Sequence, residues 1–92
     1  MNKVSAEIFS ELDILVSELP MSLNKITTNI EYEGNWCIYV DVEFYNHDTD
    51  EEKTISSYHD IENATPETIA RDIFIDLKQH FEPYILERKL GE

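Results

Sequence analysis

A chain of 92 residues with 20 acidic and only 7 basic side chains carries a formal net charge of −13. Hydrophobic residues make up 41% of it and aromatic residues 11%, which excludes a disordered polyanion and predicts a single acidic globular domain over residues 1–92. The charge also argues against nucleic acid and anionic membrane as direct ligands, since both are polyanions themselves.

No apolar run approaches the roughly 20 residues that a membrane span needs. Met1 to Glu7 lack the apolar stretch of a secretory signal. Cys37 is the single cysteine, so no internal disulfide forms, and a reducing, cytoplasmic setting is expected.

The chain opens with apolar residues three or four apart: Val4, Ile8, Leu12, Leu15 and Leu19, widened by Phe9 and Val16. That spacing predicts one buried face of an α-helix, ended by Pro20. Glu7, Glu11 and Glu18 share a flank of it, read here as lacking a neutralising base at helical spacing. Ile26, Thr28, Ile30 and Tyr32 then alternate with polar residues, as a strand with one buried face does. Gly34 and Asn35 predict a tight turn, because both tolerate positive φ. The clearest strand follows. Trp36, Ile38, Val40, Val42 and Phe44 are expected to pack against the helices, and Cys37, Tyr39, Asp41, Glu43 and Tyr45 to face outward.

A polar loop over 46–52 leads to a third strand from Lys53 to Tyr58. Its one strong core residue is Ile55, so it reads as an edge. Thr65-Pro66-Glu67 predicts a helix start, with an N-cap, proline at the first position and an acid in the first turn. Ile69, Ile73, Leu77, His80, Phe81 and Tyr84 mark the core face of this second helix, which Pro83 should kink or split. Arg71 and Lys78 fall on one flank, Asp72 and Asp76 on the other, and Ile75 and Leu86 point away from the core. The order α-β-β-β-α predicts an α+β fold: a three-stranded antiparallel sheet with two helices packed on one face. The other face is left open, bearing Glu31, Tyr39, Asp41, Glu43 and Tyr45.

Three kinds of chemistry compete with ordinary structural roles. Asp48, Asp50 and Glu52 open with the spacing of a calcium loop, but Lys53 stands where glycine is needed and His59 where the closing glutamate belongs. No metal or other cofactor is therefore expected. His47, His59 and His80 lack metal-ligand spacing, His80 reads as a boundary residue of the second helix, and the acids around Cys37 disfavour a thiolate. The chain is not expected to be an enzyme. Tyr39 and Tyr45 have the shape to stack bases, but the interleaved acids repel phosphates. What remains is an acidic, aromatic binding face, in which tyrosines supply contact area and carboxylates pair with cations and speed association.

The segments Ile8-Phe9-Ser10-Glu11-Leu12 and Leu19-Pro20, the acidic aromatic strands, and the helix from Phe74 to Glu82 together resemble the front part of YezG-like immunity proteins, which neutralise nuclease toxins. The order α-β-β-β-α with an acid-rich face is similar to small phage anti-CRISPR proteins that imitate DNA. The likeness is one of pattern, and no site residue is carried over from it. Both resemblances imply an inhibitor of a nucleic-acid-handling enzyme. The expected partner is a basic protein such as a nuclease. The expected contact residues are Tyr39, Asp41, Glu43 and Tyr45, extended by Asp48, Asp50, Glu51 and Glu52. The helix flanks with Glu7, Glu11, Glu18, Asp72 and Asp76, anchored by Ile14 or Ile75, are the second choice of surface. The alternative is a small regulatory or structural subunit that self-associates through the edge of the third strand. Either way the chain is expected to be a monomer or weak homodimer.

Overall fold

In the computed structural model the chain is described over residues 3–91, with side chains described over 3–80. The elements run α1 (Lys3–Leu15), β1 (Met21–Tyr32), β2 (Trp36–Asn46), β3 (Glu51–Asp60), a short 3₁₀ turn (Ile61–Asn63) and α2 (Pro66–Gly91). The three strands form one antiparallel sheet in the order β1-β2-β3. Both helices lie on one side of it, so the fold is α+β with an uncovered sheet face.

The core sits between that sheet and the helices. Ile8 and Leu12 of α1, Val40, Val42 and Phe44 of β2, Ile55 of β3, and Ile69, Ile73 and Leu77 of α2 form one buried cluster. The alternation in β2 and the helical spacing in α1 and α2 bring these apolar sets onto facing surfaces. Thr65 caps α2 as expected. The Thr68 amide donates to Thr65 Oγ1 at 3.2 Å, and the Thr65 amide donates back to Thr68 Oγ1 at 2.9 Å.

Several boundaries differ from the sequence reading. Helix α1 stops at Leu15 rather than at Pro20, and residues 16–20 form turns. Leu15, the last helical residue, is exposed, and Val16 just beyond it is buried. The flank of Glu7 is also not free of bases, since Lys3 Nζ lies 3.9 Å from Glu7 Oε1 on exposed surface. Strand β1 starts at Met21, five residues earlier than its alternation announces, because a bulge between Leu23 and Lys25 breaks the period. The β1–β2 connection is a three-residue loop, Glu33-Gly34-Asn35, between the paired Tyr32 and Trp36. Only Gly34 takes positive φ in it, at 86°.

The far end of the β1–β2 hairpin departs most from expectation. Ile30, Tyr32 and Trp36 lie on the helix side by register but are 49%, 63% and 56% exposed. Ser5 of α1 shares a 2.8 Å hydrogen bond with Thr28, which places the helix's first turn level with the Thr28–Val40 pair. The strands continue beyond that level and carry these three residues past the helix. His80, read as a core-face boundary residue, is exposed. Helix α2 runs through Pro83 as one helix to Gly91, so Pro83 does not split it, and the expectations for Phe81, Tyr84 and Leu86 lie outside the described side chains.

Candidate functional site

Residues directly paired across an antiparallel sheet share a face. The register therefore fixes the open surface in rows. Asn29, Tyr39 and Tyr58 form one row. Thr27, Asp41 and Ser56 form the next, then Lys25, Glu43 and Thr54, and then Ser22, Tyr45 and Glu52. Tyr39, Asp41, Glu43 and Tyr45 do line up along the central strand, where flanking strands hold the backbone on both sides. Asp48 and Asp50 occupy the β2–β3 turn at one end of this surface. Glu51 and Glu52 belong to β3 itself rather than to a loop. Glu52 stands on the open face opposite Tyr45, whereas Glu51 pairs with Asn46 and falls on the helix side.

Each tyrosine of this face has a fixed acceptor or neighbour. Tyr39 Oη donates to Glu33 Oε2 at 2.8 Å, and its ring lies 4.9 Å from that of Tyr58. Accepting that hydrogen bond, Glu33 favours the neutral phenol and pushes the Tyr39 pKa up to about 12. Tyr45 Oη donates to Asp50, which raises its pKa by the same means. The Tyr45 ring meets His47 edge-on at 5.0 Å, and His47 Nε2 sits 3.0 Å from Ser22 Oγ. Asp41 accepts from Ser56 Oγ. The carboxylates thus orient the tyrosines and the serine while keeping further acceptor lone pairs for a ligand.

The β2–β3 turn has its own internal logic. Asn46, expected in a polar loop by its composition, is instead 1% exposed. Its Oδ1 accepts from the Asp48 amide at 2.9 Å and the Thr49 amide at 3.3 Å. The chain then closes through the Asp50 amide to the Asn46 carbonyl, with Asp50 at φ 59°. Aspartate is among the few side chains that tolerate this region.

Three contributors, Tyr58, Glu33 and Lys25, escaped the sequence reading. Tyr58 is 54% exposed and extends the aromatic surface onto β3. Its position was legible in the alternation of Glu52, Thr54, Ser56 and Tyr58. Glu33 was assigned to no site, yet it holds Tyr39. Lys25 pairs with Glu43, and with Thr27, Asp41 and Thr54 the two line a shallow depression. It is the single lysine or arginine on this face among the described residues. Cys37 does point to the open side, but it is wholly buried, its Sγ 3.0 Å from Tyr58 Oη. That contact is the first cause of a raised Tyr58 pKa.

On the helix side, Ser57 Oγ contacts His59 Nε2, and His59 Nδ1 lies 3.7 Å from Asp72 Oδ2. The residue types match a nucleophilic triad. The second separation is too long for the hydrogen bond that would fix the imidazole's orientation. Among the described residues, no three of His, Cys, Asp and Glu gather as metal ligands. Nor is any helix among them long and apolar enough to cross a membrane. In comparisons with known proteins, the chain matches no family model, no curated protein and no solved structure.

Proposed function

We propose that this chain is an acidic protein-binding inhibitor that occupies the basic nucleic-acid-binding or active-site groove of a nuclease-type enzyme, in the manner of an immunity protein or a DNA mimic. The observation that supports this reading is the uncovered sheet face along β2, where Asp41 and Glu43 stand between Tyr39 and Tyr45 on a backbone held from both sides. Alternate residues on a strand are about 6.6–6.8 Å apart, comparable to successive phosphates of one DNA strand. The tyrosines supply rigid contact area, and the carboxylates answer arginine and lysine on the target. The excess of negative charge raises the encounter rate with such a target. Lys25 lowers the charge of the middle of the face and shifts the acidic weight toward the β2–β3 turn and the β1–β2 loop.

The test is a low-salt pull-down from lysate of the source cells, which identifies a basic binder displaced by competitor DNA, followed by binding of that protein to the Asp41→Lys/Glu43→Lys variant. Affinity should fall by at least about tenfold, with slower association. Unchanged affinity would remove this face from the interface. The competing reading is a small regulatory subunit that self-associates through β3, which is indeed an edge strand. The charged run Glu51-Glu52-Lys53 on that strand disfavours lateral pairing.

A further inference from the structure

Toward the β1–β2 loop, the open face ends in two rows: Asn29, Tyr39 and Tyr58, and then Glu31, Cys37 and Asp60. Tyr39 and Tyr58 are directly paired, with ring centroids 4.9 Å apart and planes tilted by 54°. Tyr58 is more than half exposed, so the pair presents aromatic surface on the side of the sheet opposite both helices. Three carboxylates stand on this same side. Glu33 Oε2 accepts from Tyr39 Oη at 2.8 Å, and Glu31 Oε1 accepts from Asn29 Nδ2 at 2.8 Å. Asp60 Oδ1 accepts from the Glu62 amide at 3.2 Å. Each acid is thus oriented through one oxygen, and a carboxylate accepts at both. Beyond their hydrogen bonds (Tyr39 to Glu33, Tyr58 with Cys37) and desolvation, nearby charges raise both phenol pKa values. Glu33 and Glu31 act on Tyr39, and Glu33 and Asp60 act on Tyr58, so the rings feel all three acids. No lysine or arginine occurs between Lys25 and Lys53. Lys53 pairs with Phe44 on the helix side, and Lys25 stands two rows away beside Glu43.

We infer that this end of the open face, the Tyr39–Tyr58 pair flanked by Glu31, Glu33 and Asp60, seats an arginine side chain of the basic partner. This inference rests on the reading of the chain as a ligand of basic proteins, and it names the anchor of that contact. The anchor lies at the opposite end of β2 from Tyr45 and the acidic β2–β3 turn. Charge decides between possible occupants. A second copy would bring another net −13 against the same acids. A nucleic acid would find rings to stack on but carboxylates facing its phosphates. Arginine satisfies rings and acids together, because both are on one face. Its planar guanidinium lies on a phenol ring while its N–H donors reach carboxylates beside the ring, whereas lysine offers a compact, strongly hydrated charge. Tyrosine is also among the side chains most enriched where binding energy concentrates.

The test titrates two peptides of equal charge, hexa-arginine and hexa-lysine, into the intact protein at moderate salt, followed by the backbone amide signals in two-dimensional NMR. Hexa-arginine should bind at least about threefold more tightly than hexa-lysine, and its shifts should concentrate at Tyr39, Tyr58 and Asp60. Tyr58→Ser should lose about fivefold in hexa-arginine affinity, and Tyr58→Phe, which keeps the ring, should stay within about twofold of the parent. Two further variants each remove two negative charges. Glu31→Gln/Glu33→Gln should weaken hexa-arginine by about tenfold, and Asp41→Asn/Glu43→Gln by less than about threefold. Unchanged far-ultraviolet circular dichroism verifies the fold, and the charge-neutral pair decides the matter should Tyr58→Ser fail to fold. Equal affinity for the two peptides, with Tyr58→Ser indistinguishable from the parent, overturns the inference. So do equal losses in the two charge-removing variants, or a greater loss in Asp41→Asn/Glu43→Gln, either of which leaves the basic-partner reading standing. Binding of neither peptide also overturns the anchor, and the pull-down then decides the basic-partner reading by itself.

Discussion

Two tyrosines of the open face, Tyr39 and Tyr45, are set by particular carboxylates, and this has a measurable signature. Glu33 accepts from Tyr39 and raises its pKa from the ordinary 10.0 to about 12. A raised folded-state value means that the native structure favours the neutral phenol. The contribution is whole below pH 10 and disappears as pH climbs through about 12. Ultraviolet titration of phenolate should therefore show Tyr39 ionising late, and Glu33→Gln should move it back toward the ordinary value. An unchanged titration curve in that variant would mean that the Glu33 carboxylate does not hold the hydroxyl. At this scale the sequence identified which β2 residues face outward, because strand alternation is strict. It hid Glu33 as the orienter of Tyr39, because six residues separate them and only the turn geometry brings them together. It hid the burial of Asn46 for the same reason, since a side chain that caps a turn from inside has the same composition as one in solvent.

At the scale of elements, the early end of α1 decides which leucine matters. Leu12 is 0% exposed within the core cluster, whereas Leu15, the last residue of α1, is 36% exposed. Leu12→Ala should cost about 2–5 kcal/mol of stability, and Leu15→Ala less than about 1 kcal/mol, as measured by urea denaturation. Comparable losses would mean that Leu15 is buried in the core alongside Leu12. Periodicity alone places both on one face, because the spacing of three or four does not show that the helix ends at Leu15 and that Val16 takes the buried position instead. The opposite error occurred in β1. There the bulge after Leu23 placed Leu23 and Ile26 on the same side with an odd interval, and a search for alternation begins only where alternation resumes. The order of elements, the cap of α2 and the edge position of β3 were all legible, since each rests on a local signal: a breaker, a capping residue or a sparsity of apolar residues. The overhang of Trp36 was not, because how far a hairpin outruns a helix depends on where the two elements meet rather than on either one.

For the whole molecule, a net charge of −13 on 92 residues works against compactness, and the few ion pairs among the described residues do little to offset it. Lys3 with Glu7 is an exposed pair of the kind that contributes well under about 1 kcal/mol. Salt screens self-repulsion more than it weakens such pairs. Melting temperature should thus rise between low and moderate sodium chloride, by an amount on the order of 1 kcal/mol, or roughly 4–8 °C for a domain of this size. A flat or falling salt profile would show that the charges are spaced widely enough not to strain the fold. A partner with a basic surface would relieve the same repulsion on binding, so stability in low salt and affinity in low salt draw on one reservoir.

The position of Cys37 gives this molecule an internal clock. Its sulfur points toward the open side of the sheet yet has no exposed surface, with the Tyr58 hydroxyl against it. A thiol reagent reaches it only when this part of the sheet parts locally. The labelling rate under native conditions then measures how often the aromatic face breathes, and a ligand seated there slows the rate in proportion to the opening it suppresses.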